Sequence, residues 1–260
     1  MLIDLHVQSH YSRRGKLDPD DIVRRAKDIG LNGVCFTEDQ PIEKYQELQA
    51  LATDHDFPVF IGRTVFTEKG HLLFIPRNSE HVTKHGVFPH NVDDETPLSY
   101  EKVAERAQEL EGALVAAHPY KLQIPNPMGD RLFDMEGLSA IEVRNGSCKS
   151  LINDFALEAS FHLRIPGVAG SNTCETLNEL GTAASLFCQE LKSQEDLVDA
   201  IQTGQVWPAL LQDTVEYRKS SRDNDRGGDR RGGRGGDRRG GGRGGDRRGG
   251  GRGGDRRPRR

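Results

Sequence analysis

Two sets of residues in this 260-residue chain could do chemistry. The first is a run of arginines near the C-terminus. Seven Arg-Gly-Gly triplets begin at Arg226, Arg231, Arg234, Arg239, Arg243, Arg248 and Arg252. From Arg234 the sequence repeats with period nine, Arg-Gly-Gly-Asp-Arg-Arg-Gly-Gly-Gly at 234–242 and 243–251, with a partial copy at 252–260. A guanidinium is a planar fork that pairs with phosphate and stacks on bases, and glycine leaves the backbone free to follow an irregular single strand. Each repeat nets only +2, because an Asp sits beside the Arg pair, and no Phe or Tyr is present to stack on bases.

The second set lies at the ends of short apolar runs. It comprises Asp4-Leu5-His6-Val7-Gln8-Ser9, Phe36-Thr37-Glu38-Asp39, Gly62-Arg63-Thr64, Ala117-His118-Pro119 and Gly170-Ser171-Asn172-Thr173-Cys174. The apolar runs read as strands at Leu2–Val7, Gly33–Thr37, Pro58–Thr67, His71–Ile75, Ala113–Ala117, Ala140–Val143, Val168–Gly170 and Val206–Leu211, with a hairpin at Lys69-Gly70. Helices are expected between them. Asp18-Pro19 caps one that stops at Gly30, and Ile42–Ala52 forms a second. Thr96-Pro97 opens a third that stops at Gly112, Lys149–His162 is a fourth, and Ser193 caps a last one ending near Gly204. Residues 76–95, with His81, His85 and His90, read as a loop with exposed histidines. Strands alternating with helices predict βα units around a largely parallel sheet, in which chemistry sits at the carboxyl ends of the strands. Every motif of the second set falls at such an end.

Composition divides the chain in two. Residues 1–218 are expected to form one α/β domain, and 219–260 a disordered Arg-Gly-rich tail. Between Arg222 and Arg260 there are fifteen Arg, six Asp and sixteen Gly, with no aliphatic or aromatic side chain to bury. That segment carries +9, so a chain of net charge −4 has a body of −13. An acidic body is a poor general binder of nucleic acid, and the tail is a basic arm. A competing reading is a solubilising arm drawn onto the body. Cys35, Cys148, Cys174 and Cys188 form no CxxC pair, so neither a disulfide framework nor a zinc knuckle is indicated. No apolar run is long enough to span a bilayer and none resembles a signal peptide, so a cytoplasmic setting is expected.

The five motifs, in this order and spacing, resemble the PHP family of metallophosphoesterases, and the likeness covers essentially the whole body. The resemblance implies a distorted β/α barrel that cleaves phosphate esters with two or three divalent metals. The family pattern runs DxHxHS, TDH or TEH, GxE, a lone His, then SDAH. Here His6 and His118 stand at ligand positions, and His71 in Gly-His-Leu-Leu corresponds to another family position. Gln8 replaces the second histidine, and Arg13 or Arg14 falls where an acidic or His ligand is expected. Asp39 replaces the histidine of TEH, Thr64 the bridging glutamate, and Asn172 and Cys174 the Asp and His of the last motif. A cluster of cations needs anionic oxygens and neutral imidazoles, and these changes delete two carboxylates and add an Arg. The set that remains for a metal is His6, Asp39, His118 and Cys174, enough for at most one divalent ion, zinc being the best match. Arg13, Arg14 and Asn172 form a possible anion pocket, whereas Arg63 alternates with Thr64 and should face away. Each residue also has a plainer role: His6 and His118 as hydrogen-bonded core histidines, Asp39 as a cap, Cys174 as a small buried hydrophobe.

The tail likewise resembles the RGG boxes of RNA-binding proteins. Together the motifs predict an RNA-associated protein with a catalytically inactive body, its tail binding single-stranded RNA without sequence preference. The alternatives are a divergent metal-dependent phosphoesterase or nuclease, and an inactive regulatory subunit paired with a protein partner.

Overall fold

The computed structural model describes residues 1–83, 88 and 96–211. Nine strands form one sheet: β1 Leu2–Val7, β2 Gly33–Glu38, β3 Val59–Thr67, β4 Gly70–Ile75, β5 Ala113–Ala116, β6 Ala140–Asn145, β7 Gly167–Gly170, β8 Ala183–Phe187 and β9 Val206–Leu210. Five helices pack around it: α1 Pro19–Asp28, α2 Tyr45–His55, α3 Tyr100–Glu109, α4 Ser150–Leu163 and α5 Gln194–Gln202. The strand order is β7-β6-β5-β4-β3-β2-β1-β8-β9. β1, β2 and β3 are mutually parallel, as are β5, β6 and β7, while β4, β8 and β9 run against their neighbours.

The sheet curls until its ends nearly meet, giving the distorted α/β barrel that the sequence predicts. Ser185 of β8 helps close the gap. Its hydroxyl accepts from the Ala169 N–H at 2.8 Å and donates to the Ala169 carbonyl at 2.9 Å, standing in for a ladder pair with β7. Past the end of β7, Val7 and Thr173 form an isolated parallel bridge, with Gln8 N–H on the Thr173 carbonyl at 2.8 Å. Gly170 makes the approach possible: a Cβ there would lie 2.5 Å from His6 Cβ and 2.7 Å from His6 N. Only the absent side chain lets β7 lie against β1 beside His6.

Strand alternation sets the layers. Ile3, Leu5, Cys35, Phe60, Leu73, Ile75, Val115 and Val168 fill the barrel, together with Leu197, Val198 and Ile201 of α5. Two outer clusters hold α1 and α2 on one side, and α3 and α4 on the other. Helix α1 shows the local logic: Asp18 accepts from the Asp20 N–H, Pro19 opens the first turn, and Ile22, Val23 and Ala26 recur on the buried face.

The helix expected from Thr96-Pro97 begins instead at Tyr100. Leu98 pairs with β3, its N–H on the Phe66 carbonyl at 3.0 Å, which keeps residues 96–98 extended. Ser99 then caps the helix, and the Glu68 carboxylate takes the Tyr100 N–H at 2.9 Å. Helix α2 likewise starts at Tyr45, because the Ile42 N–H is spent on the Val82 carbonyl. Strand β8 was not expected; it is five residues long, and Ser185, which a pattern reading counts as a turn residue, serves the seam. The tail arginines, His85 and His90 lie outside the described residues. No helix among the described residues is long and apolar enough to cross a membrane.

Candidate functional site

Strand direction gathers the motifs at one mouth of the barrel. His6 follows Leu5 near the end of β1, His118 lies two residues past the end of β5, and Glu142 lies within β6. Because β4 is antiparallel, its first residues stand beside the last residues of its neighbours, which brings in His71. The rings of His6 and His118 stack at 5.7 Å, and His71 meets His118 edge-on at 5.2 Å. All three histidines are buried.

Glu142 is the hub. One carboxylate oxygen sits 2.9 Å from His6 Nδ1; the other accepts from the His118 N–H at 2.8 Å and from Asn145 Nδ2 at 2.9 Å. A carboxylate oxygen accepts, so His6 Nδ1 carries the proton of this bond. His118 adopts a left-handed backbone with φ 31°, a strained conformation for a branched ring side chain, held by that bond from its N–H. Its Nδ1 is buried and has no hydrogen-bond partner among the described residues. Burial, with His71, Lys121 and His6 nearby, holds the His118 imidazolium well below the usual histidine range, so the ring is neutral.

Asp4 and Glu38 build the scaffold beneath the mouth. Asp4 accepts from the N–H groups of His6, Ser171 and Gly181, at 3.2, 2.8 and 3.0 Å, so it fastens the first and last motifs together. Burial pushes its carboxyl up to about 6, against those hydrogen bonds. Glu38 accepts from the Ser9 N–H at 2.9 Å and from the Ser9 and Ser12 hydroxyls. This pins the loop carrying Arg13 and Arg14 to the end of β2. Burial pushes the Glu38 carboxyl up to about 7. The folded state therefore holds a proton on Glu38 that the unfolded chain has released between about pH 4.5 and 7, so stability contributed by the protonated form is lost as pH rises through that window. In the Glu38→Gln variant the amide can still accept from Ser9 and donate to Ser12. Its urea midpoint should be flatter than the wild-type value between pH 5 and 7.5, and parallel pH profiles would show that Glu38 does not titrate there.

At three positions where the motif pattern calls for ligands, Gln8, Thr64 and Asn172 are neutral groups held in hydrogen bonds. The Thr64 hydroxyl donates to the Thr37 carbonyl at 2.8 Å, and Gln8 Nε2 lies 3.4 Å from both that carbonyl and Thr64 Oγ1. Asn172 Nδ2 donates to Ser147 Oγ at 3.0 Å. Of the four expected metal residues, His6 and His118 come together. Asp39 accepts from the Arg13 backbone N–H at 2.9 Å, and Cys174 is half-buried near Lys121 and Arg14, its thiol pushed up mainly by burial. Among the described residues no three His, Cys, Asp or Glu side chains form a group that could hold a metal. The donor set does not fit a cluster of divalent ions.

At the rim, Lys121 Nζ donates to Ser147 Oγ at 2.8 Å, and Ser147 Oγ donates to Asn145 Oδ1 at 2.6 Å. A bonded chain thus runs from Lys121 through Ser147, Asn145 and Glu142 to His6. Of the anion-pocket residues, Arg14 and Asn172 stand at this rim, and Arg13 is exposed on the pinned loop. Arg63 faces away as expected: it pairs with Phe74 of the outer cluster, while Thr64 pairs with Leu73 of the interior. It is nonetheless fully buried, and burial lowers its guanidinium to about 10 while the charge of Asp39 works the other way. Glu142, Lys121 and Ser147 were not expected. A lone carboxylate in the apolar run Ala140-Ile141-Glu142-Val143 was the available signal for the first; no pattern marks the other two.

With this geometry in view, the comparisons with known proteins are specific. The PHP domain model matches residues 4–117. An uncharacterized protein of Methanocaldococcus jannaschii is 30% identical over 168 residues, spanning 60% of this chain and 90% of that protein. The chain belongs to the PHP domain family.

Solved structures agree on the fold. PsfC from Pseudomonas syringae superposes with a TM-score of 0.61 at 16% identity, covering 87% of this chain and 98% of that one. A two-domain protein from Bacteroides vulgatus containing a predicted PHP-like metal-dependent phosphoesterase gives 0.62 at 13% identity, over 81% and 64%. An amidohydrolase from Chromobacterium violaceum, with bound sulfate and no metal, gives 0.56 at 15%, over 79% and 97%. The body thus carries a PHP domain with the fold of these structures.

Proposed function

We propose that this PHP domain is the catalytically silent body of an RNA-associated protein whose Arg-Gly tail binds single-stranded RNA without sequence preference. The observation that supports a silent body is the neutral network in which Gln8, in place of a histidine, and Thr64, in place of the bridging glutamate, bond to each other and to the Thr37 carbonyl. Amide and hydroxyl groups that satisfy each other offer little to a pair of divalent cations. Without such a pair nothing there lowers the pKa of an attacking water or neutralises a phosphate. At most one divalent ion, zinc by preference, could sit on the imidazoles. The +9 of the tail against a body of −13 supports the tail as the source of nucleic-acid affinity.

One observation favours a second reading, a divergent phosphoesterase: Glu142 orients His6 as a supporting carboxylate orients a metal-bound imidazole. A turnover assay separates the two. The full-length chain is incubated with labelled single-stranded RNA and with p-nitrophenyl phosphate, in the presence of zinc or manganese. The expected rate is that of buffer. Turnover that is lost in both His6→Ala and His118→Ala would contradict the silent-site reading and establish the hydrolase.

A further inference from the structure

Four loops meet at one corner of the barrel mouth, those that follow β1, β5, β6 and β7. The turn after β5 folds back on itself, with the Lys121 N–H on the His118 carbonyl at 2.9 Å. Ser147 follows β6, and Asn172, with a left-handed backbone at φ 57°, follows β7. The loop after β1 holds Arg14. It is fastened to the β7 loop by the Lys16 N–H on the Cys174 carbonyl at 2.9 Å. The charges of Lys121 and Arg14 accordingly both act on the Cys174 thiol.

Two donors converge there on one oxygen. Lys121 Nζ and Asn172 Nδ2 both donate to Ser147 Oγ, at 2.8 and 3.0 Å, while the Ser147 hydroxyl gives its own proton to Asn145 Oδ1. An ammonium has three N–H groups and a carboxamide two, so each keeps donors beyond that bond. Among the described residues neither Lys121 nor Arg14 is paired with a carboxylate. Three acids face this corner. Glu175 is held by Lys16 at 3.2 Å, Glu142 is spent on His6, His118 and Asn145, and Glu179 stands near the Cys174 thiol.

We propose that this corner is a metal-independent seat for a phosphate dianion. Lys121 and Asn172 turn from Ser147 onto two of its oxygens and Arg14 takes a third, with Ser147 as a positioning residue. The inference rests on the silent-body reading given above. Divalent ions would both neutralise a phosphate and activate a water. An ammonium and a guanidinium do the first and not the second, so binding comes without hydrolysis. The donor set that does not fit a metal cluster thus fits the anion. Two positive charges match the dianion of a terminal phosphate better than the single charge of an internal diester. The ligand class is therefore a terminal phosphate, carried by a small phosphomonoester or by the 5′ end of an RNA.

The test uses the full-length chain, stripped of metal and kept in chelator. It is titrated calorimetrically with inorganic phosphate, uridine 5′-monophosphate and uridine. Saturable binding of the first two, and none of uridine, is expected. Lys121→Ala should weaken phosphate at least about tenfold, and Lys121→Arg, which restores the charge, should recover most of that loss. Asn172→Gly, which suits the left-handed backbone, should weaken it about threefold or more. The tail arginines are intact in every variant, so equal phosphate affinity in Lys121→Ala and wild type overturns the proposal. Binding that appears only when zinc is added overturns it as well. A 5′-phosphorylated trinucleotide that binds more tightly than uridine 5′-monophosphate, and loses the gain without its 5′ phosphate, upholds the seat and assigns it to an RNA end. Equal affinity upholds it for a small phosphomonoester. Hydrolysis of p-nitrophenyl phosphate at this mouth, with phosphate still bound through Lys121 in the metal-free chain, would sink the silent-body reading and keep the seat.

Discussion

Deleting residues 222–260 is expected to weaken single-stranded RNA binding at least about a hundredfold near 0.1 M salt and to flatten the salt dependence. The magnitude follows from charge. Fifteen Arg and six Asp give the segment +9, and release of the counterions displaced by nine phosphate contacts corresponds to a log–log slope of about −6. The body left behind carries −13, so its net field opposes a polyanion, and only local groups such as Lys121 favour one. The fold should survive, because the three core clusters are built from residues of the body alone. Circular dichroism and the thermal midpoint of the truncated chain should match those of the whole. A truncated body that binds as tightly as the full chain would show that the tail is not the RNA element.

The second large effect is on the site itself. Replacing Glu142 with Ala removes the acceptor for three buried donors at once: His6 Nδ1, the His118 N–H and Asn145 Nδ2. Each buried donor left unpaired costs about 1–3 kcal/mol, and losses that share one hub fall short of a simple sum, so about 3–5 kcal/mol is expected for the variant. For a body of this size that lowers the melting temperature by about 10 °C. The strained backbone of His118 would lose the bond that holds it, and the stacked histidines should separate. Glu142→Gln makes a finer distinction. Its oxygen can still serve His118 and Asn145, but its amide presents N–H to His6 Nδ1. The His6 proton should therefore move to Nε2, a change that nitrogen chemical shifts of the imidazole report directly. A melting temperature within about 2 °C of wild type for Glu142→Ala would show that the hub does not organise the mouth.

Much of this arrangement can be read in the sequence, because the residues that position the site obey local rules. Asp18-Pro19 before a 3.6-residue apolar stripe gives α1, and two apolar runs on either side of Lys69-Gly70 give β3 and β4, which are buried on both faces. Each polar motif falls at a strand end because a buried strand tolerates polar side chains best where it meets solvent. What local rules could not supply was the third dimension of the mouth. His71 joins His118 only because β4 runs antiparallel to its neighbours, and strand direction is a property of the whole sheet. Glu142 binds residues 136 and 24 positions away, so its role depends on contacts that no window of sequence contains. The start of α3 was misplaced for a similar reason: Thr96-Pro97 carries a good helix-opening signal, but pairing of Leu98 with β3 overrides it. Asp39 reads as a ligand by position; in the fold one of its carboxylate oxygens accepts from the Arg13 N–H, a contact the sequence does not show.

The central claim is that neutral hydrogen-bonded groups have taken the place of a metal cluster in a PHP domain. It is tested most directly by calorimetric titration of the metal-stripped full-length chain with zinc and with manganese, alongside elemental mass spectrometry of the protein as purified. The account predicts no more than one bound ion per chain, with zinc preferred and manganese not retained through dialysis. Two or more tightly held ions per chain would contradict it, and would make the mouth of this barrel a working phosphoesterase centre.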